Sequence, residues 1–265
     1  MTNIWQLLLY QPILNALIFF YKVLFSNLGL AIIALTVLIR AILSPIMSQQ
    51  LRSAKKMQEL SPELAKLKEK FKDDKQKLAQ AQMELYKKNG VNPASGCLPQ
   101  IGQLIILISL YQAFNLVIKP DGLEVVKKLN ESLYAFNKLP EISALNLNFL
   151  YLNLSKPDLF HIPNFVGIPG VFVILATVFQ FLSSKMMAPV VSKEQKLALK
   201  TENKTDDMAS SMQKQMLYMF PLMTLIFGFS MPSGVMLYWF VFSLFSFIQQ
   251  FIINKQSQKG IVQNE

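Results

Sequence analysis

The chain has one cysteine and one histidine in 265 residues, and none of its long apolar runs contains an aspartate, glutamate or histidine. The lone Cys97 rules out an internal disulfide and any cysteine cluster for zinc or iron–sulfur, and reads most simply as a small buried residue at a helix start. Apolar runs without carboxylate or imidazole cannot supply the paired aspartates, or the nucleophile and base, of an intramembrane protease. They also lack the ionisable relay typical of a secondary transporter, and five unequal runs show no inverted repeat. The only histidine, His161, lies in a polar connection near Pro163. Charge is sparse at 16% and one-sided, with 26 Lys and Arg against 16 Asp and Glu. No metal, cofactor or catalytic residue is expected.

Hydrophobic residues make up 52% of the chain, too many for a water-soluble protein of this size, and they come in blocks. Crossing about 30 Å of hydrocarbon takes about 20 residues of helix. Five blocks are predicted to span: 28–46, 98–118, 164–187, 216–231 and 233–254. The last two are separated only by Met231-Pro232-Ser233-Gly234, a tight turn between antiparallel helices. The predicted fold is an all-α polytopic membrane protein. Its expected divisions are an N-terminal segment 1–27, a first span 28–46, a polar unit 47–95 and a second span 96–118. A connection 119–163, a third span 164–187, a loop 188–215, the paired spans 216–254 and a tail 255–265 follow.

Orientation is read from where Lys and Arg fall. Residues 47–95 hold eleven of them, from Arg52 to Lys88, and the 188–215 loop and the tail are also basic. These regions are expected in the cytoplasm. In the 119–163 connection five lysines are matched by five acids, which places it outside. The N-terminus is then outside and the C-terminus cytoplasmic. Residues 4–25 could cross as well, but Gln11, Asn15, Lys22 and Ser26 share one helical stripe, which favours a helix lying on the outer surface. No basic region and no cleavage site before a cysteine precedes it, which argues against a secretory or lipoprotein signal.

Residues 49–89 are rich in helix formers. Lys72–Lys75 suits a turn and Asn89-Gly90 a helix end, so a charged helical hairpin is expected. It is either a solvated spacer or a surface for anionic headgroups or RNA. No nucleic-acid motif accompanies it, and DNA is not an expected partner.

Within the first span, TVLIRAILSPI holds Arg40. An arginine at mid-helix costs about 2.5–3.5 kcal/mol on insertion scales, so it needs water or a partner. No span offers an acid. Either Arg40 snorkels to the surface six residues away, or it faces a wet cavity and is answered by something that arrives. Polar stripes in other spans favour the cavity: Thr36 and Ser44 beside Arg40, Gln100 and Gln103, then Thr177, Gln180 and Ser184, then Trp239, Ser243, Ser246 and Gln250. Each alone could be helix–helix glue. Together, on the expected topology, they converge in the cytoplasmic half.

Several of these segments resemble the YidC/Oxa/Alb family of membrane protein insertases: TVLIRAILSPI, ELYKKNGVNPASGCLPQIGQ, LYQAF, NLSKPDLFHIP and MPSGVMLYWFVFSLFSFIQQ. The likeness covers Tyr10 to Lys255 and is to the short type, without a large extracytoplasmic domain. It implies five helices around a hydrophilic groove open to the cytoplasm and closed outside, with an N-terminal surface helix and a cytoplasmic hairpin. By position, Arg40 matches the groove arginine and Thr36 its neighbour. Gln103, Gln180 and Trp239 match positions lining the groove or its lateral edge. The implied work is insertion of nascent membrane proteins, alone or with the Sec translocon, with membrane lipids and the ribosome as further partners. The competing reading is a small anion transporter or channel using Arg40.

Overall fold

A computed structural model describes residues 4–72, 74–91, 98–117, 122–140, 145–160, 167–187 and 217–262. Cys97, His161 and the whole 188–215 loop fall outside them. Helices dominate, as expected of an all-α membrane protein. Their order is α1 (Gln11–Val23), preceded by one wide turn at Gln6–Tyr10, then α2 (Leu28–Glu59), α3 (Ser61–Lys70), α4 (Lys75–Lys88), α5 (Leu98–Val117) and α6 (Gly122–Ser132). After them come α7 (Val171–Met187), α8 (Leu217–Gly228) and α9 (Ser233–Val262). Between α6 and α7 lie two antiparallel ladders of two residues per strand, a feature the hydropathy pattern does not foretell. They pair β1 (Asn148–Phe149) with β2 (Leu152–Asn153), and β3 (Leu159–Phe160) with β4 (Ile168–Pro169).

Among the described residues two helices are long and apolar enough to cross a bilayer, Leu28–Met57 and Ser233–Gln256, and three apolar helices are shorter. Large apolar side chains stay exposed along them, including Ile42, Ile46, Leu104, Leu222, Ile226 and Phe251. Such faces suit lipid rather than water.

The chain divides into two compact units. The first comprises the described parts of Met1–Leu43, Gly102–Gln180 and Pro221–Phe247, and it holds the main apolar core. Leu14, Leu17 and Ile18 of α1 are fully buried there, as are Ala113 of α5, Leu129 of α6 and Leu237 of α9. The α1 helix is thus an integral part of this core. Its stripe residue Asn15 is buried and works within the protein. Its Nδ2 donates to Gln11 O and Ser132 O, and its Oδ1 accepts from Tyr134 N at 2.8 Å.

The second unit comprises the described parts of Ser44–Ile101, Phe181–Phe220 and Ile248–Glu265. It contains the expected hairpin, built from α3 and α4. Pro62 stands in the first turn of α3. Asp74 caps α4 by accepting from Lys77 N at 3.0 Å, which holds its carboxyl below the usual carboxylate range. Gly90 follows α4 with φ at 64°, the left-handed backbone that glycine adopts without strain. One boundary differs from the sequence expectation. The first apolar helix does not end at Ile46 but runs to Glu59 through Pro45. A proline removes only one helical hydrogen bond, and the residues that follow are strong helix formers.

Candidate functional site

Arg40 lies in the first unit, on the part of α2 that the buried Ala31, Ile32 and Leu35 anchor in the core. Asn27 starts the helix: its side-chain oxygen accepts from Leu30 N at 3.0 Å, satisfying one of the free amides of the first turn. The Arg40 side chain is only 5% exposed. It does not stretch along the surface; it turns onto α9. Nη2 donates to Ser246 Oγ and, at 3.4 Å, to Phe242 O. The guanidinium carbon stands 3.6 Å from the Phe242 ring centroid and 6.0 Å from that of Phe245. A π face and neutral acceptors therefore surround the charge. The ion pair of Lys77 with Asp74 belongs to the other unit. Arg40 Nε is buried without a hydrogen-bond partner, and so is Ser243 Oγ. Buried polar atoms left unpaired are rare, and two in one unit call for water or a ligand.

Thr36, one turn before Arg40, is buried and donates its hydroxyl to Ile32 O at 2.6 Å. It lies beside the arginine and spends its proton on its own helix. Gln180 and Trp239 are brought together in a second polar group of the same unit. Gln180 Oε1 accepts from Trp239 Nε1 at 2.8 Å and from Thr224 Oγ1 at 2.5 Å, tying α7, α8 and α9 through one carbonyl. Gly228 lets α8 approach α7 closely, since a Cβ there would overlap Val173. Gln103 lies on α5, with its side chain outside the described residues, as is that of Gln100.

Ser44, Ser184 and Gln250 belong to the second unit. There Gln249 Nε2 donates to Ser44 O, Ser44 Oγ and Ser48 Oγ at 3.0–3.2 Å. Gln50 Oε1, Ser183 Oγ and Gln250 Oε1 are buried and unpaired in that unit.

Sequence reasoning missed Phe242, Thr224 and Gln249. Phe242 is four residues before Ser246, on the polar stripe, but a search for polar periodicity passes over a phenylalanine. Thr224 is a single polar residue in an apolar helix and carries no periodic signal.

These features define a class first: a helical membrane protein that buries a cation with no carboxylate among the described residues to neutralise it. Residues 19–260 match the family described as 60Kd inner membrane protein. The chain is 34% identical over 231 residues to a membrane protein insertase YidC of Fusobacterium nucleatum, covering 87% of this chain and 88% of that protein. It is 33% identical over 257 residues to a membrane protein insertase YidC 2 of Bacillus anthracis, covering 95% and 82%. To the membrane protein insertase MisCA of Bacillus subtilis it is 32% identical over 256 residues, covering 95% and 79%. The chain belongs to the 60Kd inner membrane protein family, the family of YidC-type membrane protein insertases. That family is of insertases, not enzymes, and its setting is the bacterial membrane.

Proposed function

We propose that this protein inserts nascent proteins into the bacterial membrane, and that its first unit receives the charged end of the substrate. One observation carries the reading: Arg40 is buried, has no carboxylate paired with it among the described residues and keeps Nε unpaired. A cation in that state attracts an anion that arrives from outside the protein. A short acidic tail of a substrate supplies one, and water around Arg40 and Ser243 lowers the cost of desolvating it. The groove enclosing Arg40 opens to the cytoplasm and is closed outside. Five spans surround it, the N-terminus is outside and the C-terminus cytoplasmic. Thr36, Gln103, Gln180 and Trp239 line the groove or its edge, and the Gln180–Trp239 bond marks the lateral exit between α7 and α9.

No nucleotide enters the mechanism. The apolar segment of the substrate leaves between α7 and α9 into lipid, where burial yields about 25 cal/mol per Å² of apolar surface. The membrane potential draws the acidic tail outward with about 2.3 kcal/mol per charge per 100 mV. The partners are nascent membrane proteins and lipids, with the ribosome and the Sec translocon able to deliver or share them. The test is purified protein in vesicles given a short single-spanning substrate. Insertion without nucleotide, and no saturable flux of small anions, is the expected result. Anion flux without insertion would replace this reading with a transporter.

A further inference from the structure

The two helices that flank the proposed exit, α7 and α9, begin on the same short stretch of chain. Helix starts leave their first amides without intrahelical partners, and a buried start needs acceptors from elsewhere. For α7 they come from Asp158 and Tyr151. Asp158 Oδ2 accepts from Phe172 N at 2.9 Å and Val173 N at 3.3 Å, while Asp158 Oδ1 accepts from the Tyr151 hydroxyl at 2.9 Å. The same hydroxyl oxygen accepts from Val171 N at 3.0 Å. For α9 the acceptors are main-chain carbonyls a few residues earlier. Lys156 O accepts from Ser233 N at 2.7 Å, Leu154 O from Gly234 N at 3.1 Å, and Asn153 O from Ser233 Oγ at 2.9 Å.

This stretch is packed into the core. Leu154, Asp158 and Ser233 are each 0–1% exposed. Gly170 makes the Asp158 contact possible, since a Cβ there would overlap the carboxylate. The Asp158 charge has no cationic partner among the described residues, so the amides and positive end of α7 hold it. A chain of aromatic rings continues the link. Tyr151 stacks on Phe172 with centroids 6.0 Å apart, and Phe172 meets Phe240 of α9 edge-on at 5.5 Å.

We propose that Asn153–Asp158 is a clamp that keeps the N-terminal ends of α7 and α9 together while the rest of the two helices part for substrate, with Asp158 as its positioning residue. The proposal rests on the exit lying between these helices. The contrast in bonding supports it. The clamp uses main-chain groups and a charge-assisted cap, whereas further along the links are between side chains: the Trp239–Gln180 bond, which polar groups of a passing chain can replace, and Phe179 against Phe240 and Phe247, which its apolar groups can replace.

The experiment uses the full chain with Cys97→Ser, spin-labelled at the exposed positions Ile174 and Ser230, in vesicles, with and without an arrested single-spanning substrate. The intact clamp should give one narrow distance that substrate leaves unchanged. Asp158→Ala should broaden it several-fold and slow insertion about tenfold or more, the scale of losing a charge-assisted cap. Asp158→Asn, whose amide oxygen still accepts, should fall between. Where Asp158→Ala does not accumulate, Tyr151→Phe decides, with a smaller broadening and about a two- to threefold loss. A narrow distance retained in these variants, or a distance in the unsubstituted chain that widens when substrate engages, overturns the clamp. Broadening by Asp158→Ala in a protein that inserts no substrate at all would uphold the clamp and sink the insertase reading.

Discussion

Removing the Arg40 side chain should cost function without costing the fold. Its two hydrogen-bond partners do not depend on it, because Ser246 Oγ also donates to Phe242 O at 2.9 Å. Arg40→Ala therefore leaves no new orphaned polar group on α9. It also removes a charge whose placement in a spanning helix costs about 2.5–3.5 kcal/mol. Loss of the guanidinium–ring contact, about 2 kcal/mol when desolvated, works against this gain. The variant should fold about as stably as the unsubstituted protein. Its defect should instead scale with the charge of the substrate. A tail carboxylate that bonds the guanidinium gains about 1.5–3 kcal/mol, or roughly ten- to hundredfold in rate. Insertion of one substrate carrying zero, one or two tail acids, into vesicles under a fixed potential, measures this directly. Arg40→Ala should slow the acidic versions about ten- to hundredfold and the neutral one far less. Arg40→Lys should keep the dependence on tail charge at a lower overall rate, because an ammonium loses the planar stack on Phe242. Arg40→Glu should be the slowest of the series, and a lysine added to the tail should partly restore it. An Ala defect of the same size for all three tails would refute the electrostatic argument and leave Arg40 as a means of keeping the site wet.

Four other outcomes follow from the geometry. With Trp5→Phe, Trp239 becomes the only tryptophan, and Gln180→Leu should shift its emission by removing its acceptor; an unshifted spectrum would deny the bond. Asn15→Leu should lower stability by about 1–3 kcal/mol in thermal unfolding, because the Tyr134 N–H loses its acceptor and Ser132 O a donor, while the Asn137 amide keeps the Asn15 main-chain oxygen. Burial, followed by the bond to Asp158, pushes the Tyr151 phenol up to about 12 from the ordinary 10.0. A raised value stabilises the fold while the phenol is protonated, so this contribution should be complete below pH 10 and disappear towards pH 12. Phenolate absorbance during alkaline titration checks it, and Tyr151→Phe should remove the step. Deleting α3 and α4 should abolish insertion while α1, α2 and α5–α9 still assemble; normal insertion would make the hairpin a spacer.

Much of the architecture was legible in one dimension because lipid imposes a simple rule. Backbone groups in hydrocarbon must be satisfied internally, so long apolar runs become helices wherever turn residues do not interrupt them. Met231-Pro232-Ser233-Gly234 marked the turn between α8 and α9, and Asn89-Gly90 the end of α4. The oddity of Arg40 was also readable, since the positions of the acids in the sequence show that no predicted span carries one. The end of α2 was less so, because Pro45 is a local signal that the strong helix formers after it override.

What the arginine touches was not readable. Phe242 and Ser246 lie more than 200 residues away, and their contact depends on how α2 and α9 pack, which no local periodicity encodes. The same holds for Gln180, Thr224 and Trp239, whose separate polar positions become one hydrogen-bonded group only when three helices meet. Asp158 is the plainest case. In the sequence it is one of five acids balancing five lysines in a connection, and its charge counts only towards topology. Folding buries it at the start of α7, where the amides it accepts from become available only after that helix exists. Composition and period determined which segments are helical and where charge is scarce. Tertiary packing decided which polar groups answer one another, because a hydrogen bond needs its partners within about 3 Å, and only the folded chain brings them there.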